Sequence, residues 1–206
     1  MPYTNFIYDF DGTLSDSYPI FTKSFLQVLE RHGFTDTYAH VLSLLKRTVR
    51  TAIESYPFTA SYKEVSEEYR SLREAMMLTE AKPVEGAREL LAYVAKHGGR
   101  NYLYTHSGGF VLQLVEKWGM APYFTDVITA DHGFPSKPAP DALNYLLQKH
   151  CMDKSQTLMI GDRDIDLEAG HGAGIKGILL ELDDYYKHYA CELRVPRLLD
   201  NKRFLA

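Results

Sequence analysis

Asp9 and Asp11 close a short aromatic and β-branched run, Tyr3-Thr-Asn-Phe-Ile-Tyr8, and are followed at once by Gly12-Thr13-Leu14. Such a run reads as a buried strand that stops at a tight turn. Its carboxylates then stand at the strand's C-terminal end, the edge where open parallel α/β sheets bind ligands. An Asp-Gly pair is also a common hairpin turn, so the chemistry needs support from other strand ends. Ile160-Gly-Asp162-Arg-Asp164-Ile-Asp166 supplies it by ending another apolar run in three carboxylates. Crowded carboxylates repel one another unless a cation is present, and all-oxygen ligation suits Mg²⁺, so Asp9, Asp162 and Asp166 form a candidate divalent site.

Two further stretches could act on an anion. Tyr104-Thr105-His106-Ser107 places a hydroxyl before the start of a helix, where backbone N–H groups and the helix dipole suit a phosphate; an ordinary N-cap is the competing reading. Phe134-Pro-Ser-Lys137-Pro-Ala-Pro-Asp141 holds one lysine among prolines, whose rigid flanks limit where the ammonium can point. A solvated lysine is the alternative there. Gly170-His-Gly-Ala-Gly174 follows a helix and precedes a strand, the reverse of the dinucleotide-binding order, so it reads as a helix terminator and tight turn.

Helices and strands must position these groups. After Leu14 the pattern is helical: Ile20 to Arg31, Thr37 to Ser55 ahead of Pro57, and Tyr62 to Leu78. Strand–helix alternation resumes at Pro83. Helices are expected over 84–96, 110–118, 141–150 and 165–169, and strands over 101–105, 126–130, 157–160 and 176–182. Strands separated by helices imply parallel pairing with right-handed crossovers. The expected fold class is therefore α/β: a Rossmann-like three-layer sandwich with a parallel central sheet, residues 1–15 and 82–206, interrupted by a helical insert over 16–81.

The 206 residues carry 23 Lys and Arg against 27 Asp and Glu, a formal charge of −4, which argues against nucleic acid as the main partner. No stretch approaches the length of a membrane span, and the N-terminus lacks the charged and apolar regions of a signal peptide, so a cytoplasmic location is expected. Cys151 and Cys191 lie far apart without metal-knuckle or redox spacing and read as ordinary small apolar residues.

In that order, Asp9-Phe-Asp-Gly-Thr-Leu14, Thr105, Lys137 and Gly161-Asp162-x-x-x-Asp166 resemble the four motifs of the haloacid dehalogenase-like hydrolase superfamily. The resemblance spans the chain, and the helical insert is similar to the small cap of phosphoglycolate phosphatases and β-phosphoglucomutases. It implies that Asp9 is a nucleophile forming an aspartyl-phosphate, while Asp11 protonates the leaving group and then activates water. Thr105 and His106 with nearby backbone N–H groups would hold phosphoryl oxygens, and Lys137 would neutralise charge between Asp9 and the phosphate. Mg²⁺ would be held by Asp9, the backbone carbonyl of Asp11, and Asp162, with Asp166 in support. His106 departs from the Asn usual at that position, and Ser107 from a common Lys or Arg, which leaves the substrate open.

The resulting expectation is a Mg²⁺-dependent phosphatase of a small phosphorylated metabolite, of unknown oligomeric state. The alternatives are a phosphomutase, which uses the same two aspartates, and a catalytically idle binding module on the same fold. Specificity is expected from the insert, where Lys46 and Arg50 lie four apart. On a helix they would share a face and could engage a second anionic group, with Arg47 pointing elsewhere; a solvated helix face is the competing reading.

Overall fold

The strands of the core all run parallel in one sheet, as seen in a computed structural model that describes residues 3–181 and 184–204. They are β1 (Asn5–Tyr8), β2 (Arg100–Tyr104), β3 (Phe124–Ile128), β4 (Thr157–Gly161), β5 (Lys176–Leu180) and β6 (Leu193–Val195), in the spatial order β3-β2-β1-β4-β5-β6. The chain lays β2 and β3 to one side of β1 and then returns to lay β4, β5 and β6 on the other. Beside β1 the direction of winding reverses, and the C-terminal ends of the strands at such a reversal are where open α/β sheets bind ligands. Tyr8, the last residue of β1, is in register with Leu103 on one side and Ile160 on the other.

Two sequence expectations for the sheet need correction. β5 stops at Leu180 and is followed by a short sixth strand that the hydropathy pattern does not announce; Leu182 lies outside the described residues. Polar tethers hold β6 in place: the Arg194 guanidinium bonds the Glu181 carboxylate and the carbonyls of Tyr186 and Tyr189. Strand β3 starts two residues earlier than expected, at Phe124, and ends at Ile128. Beyond it Thr129 donates its backbone N–H to His132 Nδ1 in a tight turn.

The chain divides into two compact units, one formed by the stretches up to Ser15 and from Pro83 onward, the other by Asp16–Lys82. The second unit contains α1 (Tyr18–Arg31), α2 (Tyr38–Arg47), α3 (Val49–Glu54) and α4 (Tyr62–Glu80), with α1 packed on α2 and α4. Its interior includes Phe25, whose ring meets Tyr69 edge-on at 5.3 Å. Ser61 and Glu64 form a reciprocal capping box at the start of α4. The single helical stretch expected over 37–55 is two helices. Thr48 is extended, and its hydroxyl accepts the backbone N–H of Thr51 at 2.9 Å, so it ends α2 and caps α3.

In the core unit, α5 (Ala87–Lys96), α6 (Phe110–Lys117), α7 (Asp141–Lys149) and α8 (Asp164–Ala173) connect the strands. One face of the sheet presents Ile7, Tyr102, Tyr104 and Met159 to α7 and α8, in a cluster with Leu143, Leu146 and Ala169. Period-two alternation turns Leu103 and Asn101 to the opposite face. There the Asn101 side-chain amide donates to the Leu91 carbonyl of α5 at 3.0 Å, which places α5 on the far side and completes three layers. Helix α8 runs straight through Gly170 and Gly172, and only Gly174, at φ +77°, terminates it. A methyl group on Gly170 would press on Met159 and one on Gly172 on Pro140, so these glycines serve close helix packing. Among the described residues no helix is long and apolar enough to cross a membrane.

Candidate active site

Strand β1 delivers Asp9 directly to this edge of the sheet: its backbone N–H still bonds the Ile160 carbonyl, and its side chain is buried. The turn that follows is tied by hydrogen bonds from the N–H groups of Thr13, Leu14 and Ser15 to the Phe10 carbonyl. Gly12, at φ +81°, lets the chain reverse there. Asp11 is fixed on this turn, with the Ser107 hydroxyl donating to its Oδ2 at 2.6 Å. Thr13, at the turn's far side, donates from Oγ1 to Asp162 Oδ1 at 3.3 Å and links the end of β1 to the loop after β4.

Lys137 is the electrostatic centre. Its ammonium donates to Asp9 Oδ1 and Asp166 Oδ1, both at 2.6 Å, and lies 3.4 Å from the Tyr104 carbonyl. The side chain is 2% exposed. Asp166 is equally enclosed and uses its second oxygen to accept the Arg163 backbone N–H at 3.1 Å, which closes the first turn of α8. Burial pushes the Asp9 carboxyl above its ordinary range, with Lys137 opposing and Asp11 reinforcing that rise. Asp166 is likewise pushed up to about 6 by burial, again opposed by Lys137. Burial alone would lower the Lys137 pKa, but Asp166 and Asp9 outweigh it and hold the ammonium above the ordinary lysine value. Asp162 adds a third carboxylate beside the pair.

The three carboxylates expected to gather do so. Asp9, Asp162 and Asp166 each offer an oxygen within 4.8 Å of the others'. Asp11 contributes no carboxylate oxygen to that group. Thr105 is buried at the end of β2, and its Oγ1 accepts the Ser107 backbone N–H at 3.0 Å, leaving its hydroxyl proton to donate elsewhere. The His106 side chain has a partner of its own in the lysine loop. Its Nε2 accepts the Lys137 backbone N–H at 2.7 Å, so this side chain anchors the lysine loop. A ring nitrogen that accepts must be unprotonated. Desolvation, with Lys137 and Arg163 nearby, pushes the His106 pKa down to about 3 and keeps the ring neutral.

Asp131 is a participant the sequence reading did not single out. Its Oδ2 accepts the Gly109 backbone N–H at 2.8 Å, so one donor at the start of α6 is taken by a carboxylate of the chain itself. Its place just after β3, on the same edge as the other groups, was the available signal.

Lys46 and Arg50 do not form the pair expected of them. The break at Thr48 puts them on separate helices, so four-residue spacing no longer implies a shared face. Lys46 is buried with its ammonium 5.0 Å from the Tyr18 ring centroid. Arg50 bonds Glu54 at 3.1 Å and lies over the Tyr62 ring.

The profile of the haloacid dehalogenase-like hydrolases matches residues 6–180. This chain belongs to that family. A phosphoglycolate phosphatase from Pseudomonas fluorescens is 26% identical over 97% of this chain and 77% of its own length. A fructose-1-phosphate phosphatase from Escherichia coli is 25% identical over 87% of this chain and 97% of its own. A hydrolase of known structure from Streptococcus pneumoniae is 36% identical, with a TM-score of 0.66 over 88% of this chain and 94% of that one. Matches to phosphoglycolate phosphatases of Vibrio parahaemolyticus and Vibrio cholerae are segmental, spanning 28% and 36% of those relatives' length. The family thus agrees with the four motifs in the sequence.

Proposed function

We propose that the protein is a phosphatase that hydrolyses a small phosphorylated metabolite through an aspartyl-phosphate on Asp9. The observation that carries this reading is a buried Asp9 held by Lys137 at the switch point of the sheet, with Asp11 two residues on. Asp9 attacks phosphorus, and the ester oxygen departs with the bonding pair and a proton from Asp11. Water then attacks the aspartyl-phosphate, giving its proton to Asp11 as the Asp9–phosphorus bond breaks. Lys137 holds Asp9 in place and offsets negative charge gathering on the phosphoryl oxygens. The Thr105 hydroxyl proton is available to one of those oxygens.

The donor set suits a hard divalent cation. Asp9, Asp162 and Asp166 are all carboxylates, they lie within reach of one ion, and their charge exceeds what Lys137 balances. These residues would hold Mg²⁺, which would supply further neutralisation of the phosphoryl group. Phosphoglycolate and sugar phosphates are the first substrates to try, following the names of the relatives, and the cytoplasm is the proposed setting.

Purified protein incubated with a panel of phosphorylated metabolites should release phosphate with Mg²⁺ and stop with excess EDTA. Asp9→Asn should abolish turnover. Cleavage that survives EDTA would refute the metal assignment, and turnover by Asp9→Asn, or a phosphorylated adduct on another residue, would refute the nucleophile.

A further inference from the structure

Ser107 has its backbone fastened at both ends. Its N–H donates to Thr105 Oγ1 at 3.0 Å, its carbonyl accepts the Ala130 N–H at 3.0 Å, and the residue is 3% exposed. The hydroxyl therefore has little freedom, and it reaches Asp11 Oδ2 at 2.6 Å. Asp11 is fastened too, on the turn closed by Gly12 N–H bonding the Ser15 carbonyl at 2.8 Å. Its other oxygen, Oδ1, is shielded from solvent and has no hydrogen-bond partner among the described residues. Folded proteins retain few buried acceptors in that condition, and those they keep call for an explanation.

We propose that Ser107 is a positioning residue: by donating to Oδ2 it confines the transferable proton of Asp11 to Oδ1. A carboxylate oxygen that accepts a short hydrogen bond is the poorer place for a proton, and the unpartnered oxygen is the better one. The inference rests on the phosphatase reading and specifies one atom in it. In the first step the Asp9 oxygen bonds to phosphorus, the phosphorus–ester bond breaks, and the leaving oxygen takes the proton from Oδ1. In the second, water bonds to phosphorus, the Asp9–phosphorus bond breaks, and Oδ1 takes the water's proton. Ser107 exchanges no proton in either step. Without it the carboxyl can turn about its Cβ–Cγ bond and present the wrong oxygen.

The test uses leaving groups that differ in their need for a proton. An alkyl alkoxide must be protonated as it leaves, whereas p-nitrophenolate leaves readily without help. kcat/KM reports events up to phosphorylation of Asp9, and a well-placed general acid contributes about 10²- to 10⁴-fold. Ser107→Ala should lower the ratio of kcat/KM for the best alkyl phosphate over p-nitrophenyl phosphate by about tenfold or more, with an unchanged melting temperature. Ser107→Cys, close in size but a weak donor, should show the same split and serves if the alanine variant does not fold. An unchanged ratio, whether both substrates suffer equally or neither suffers, overturns the proposal. The parent reading fails separately, if wild-type protein cleaves no monoester or Asp9→Asn still turns over.

Discussion

Gly161→Ala should damage the site through one methyl group. Gly161 ends β4, and its φ is not among the positive values, so alanine suits the backbone. The added Cβ would, however, fall well inside 3.0 Å of the Asp166 Oδ2, Cβ and Cγ atoms. To recover ordinary contact at 3.5 Å or more, the Asp166 side chain must retreat by about 1 Å. That movement stretches both of its anchors, to Lys137 Nζ and to the Arg163 N–H. Overpacking of this kind costs about 1–3 kcal/mol of stability. A misplacement of about 1 Å near the reacting atoms costs on the order of 10²-fold in rate. Asp166 is one of the carboxylates that would hold Mg²⁺, so its displacement should weaken metal binding by at least about 10- to 100-fold, the cost of disturbing an outer partner. The assay is a Mg²⁺ titration of phosphatase activity, paired with calorimetric Mg²⁺ binding and thermal melting of the metal-free protein. A variant with kcat and Mg²⁺ affinity within about threefold of wild type would refute this account of how Asp166 supports the site.

Lys137→Met leaves Asp9 and Asp166 buried without their cation, so metal-free protein should lose about 3–5 kcal/mol in urea unfolding, and Mg²⁺ should restore part of it. The raised carboxyl of Asp166 gives metal-free protein a stability that is fully present below about pH 4 and lost as pH rises through about 6. Melting in EDTA should therefore fall across that window, and Asp166→Asn should flatten the fall. In the helical unit the sign reverses. Tyr56 and His40 hydrogen bonds hold Asp36 down to about 2, so its contribution is present above about pH 4 and lost as pH drops through about 2. Asp36→Asn should remove that acid sensitivity, and an unchanged acid profile would discount the Tyr56 bond.

The layered parallel fold was legible because each early strand is a short apolar run ending in Gly or polar residues, with an amphipathic helix before the next. The motif residues were legible for a related reason: a parallel sheet sends all its strand ends to one edge, so Asp9, Thr105 and Asp162 converge without further instruction. What stayed hidden depended on partners distant in sequence. Three residues of β6 carry no pattern of their own, and Arg194 holds them through groups at Glu181, Tyr186 and Tyr189. Thr48 looks like any residue inside a helical stretch until its hydroxyl caps the next helix. Gly170 and Gly172 resemble a terminator, although the space they leave is filled by Met159 and Pro140. His106 was expected near the phosphate from its place after Thr105, but its side-chain partner, the Lys137 N–H, lies 31 residues on.

The place where the helical unit leaves and rejoins the core has a consequence for evolution and engineering. Ser15 and Pro83 form a bridge, Val84 bonds the Leu14 carbonyl, and within the insert Asp16 N–H bonds the Lys82 carbonyl at 3.0 Å. Each unit is therefore closed by its own backbone bonds next to the two points where the chain passes from one to the other. The entropy of closing the intervening loop grows only slowly with its length. Helices can be added, shortened or exchanged between Asp16 and Lys82 while the catalytic scaffold keeps the same two attachment points. A chain trimmed to a brief turn at that seam would retain every strand of the sheet, and helical segments from relatives could be spliced in between the same two attachment points.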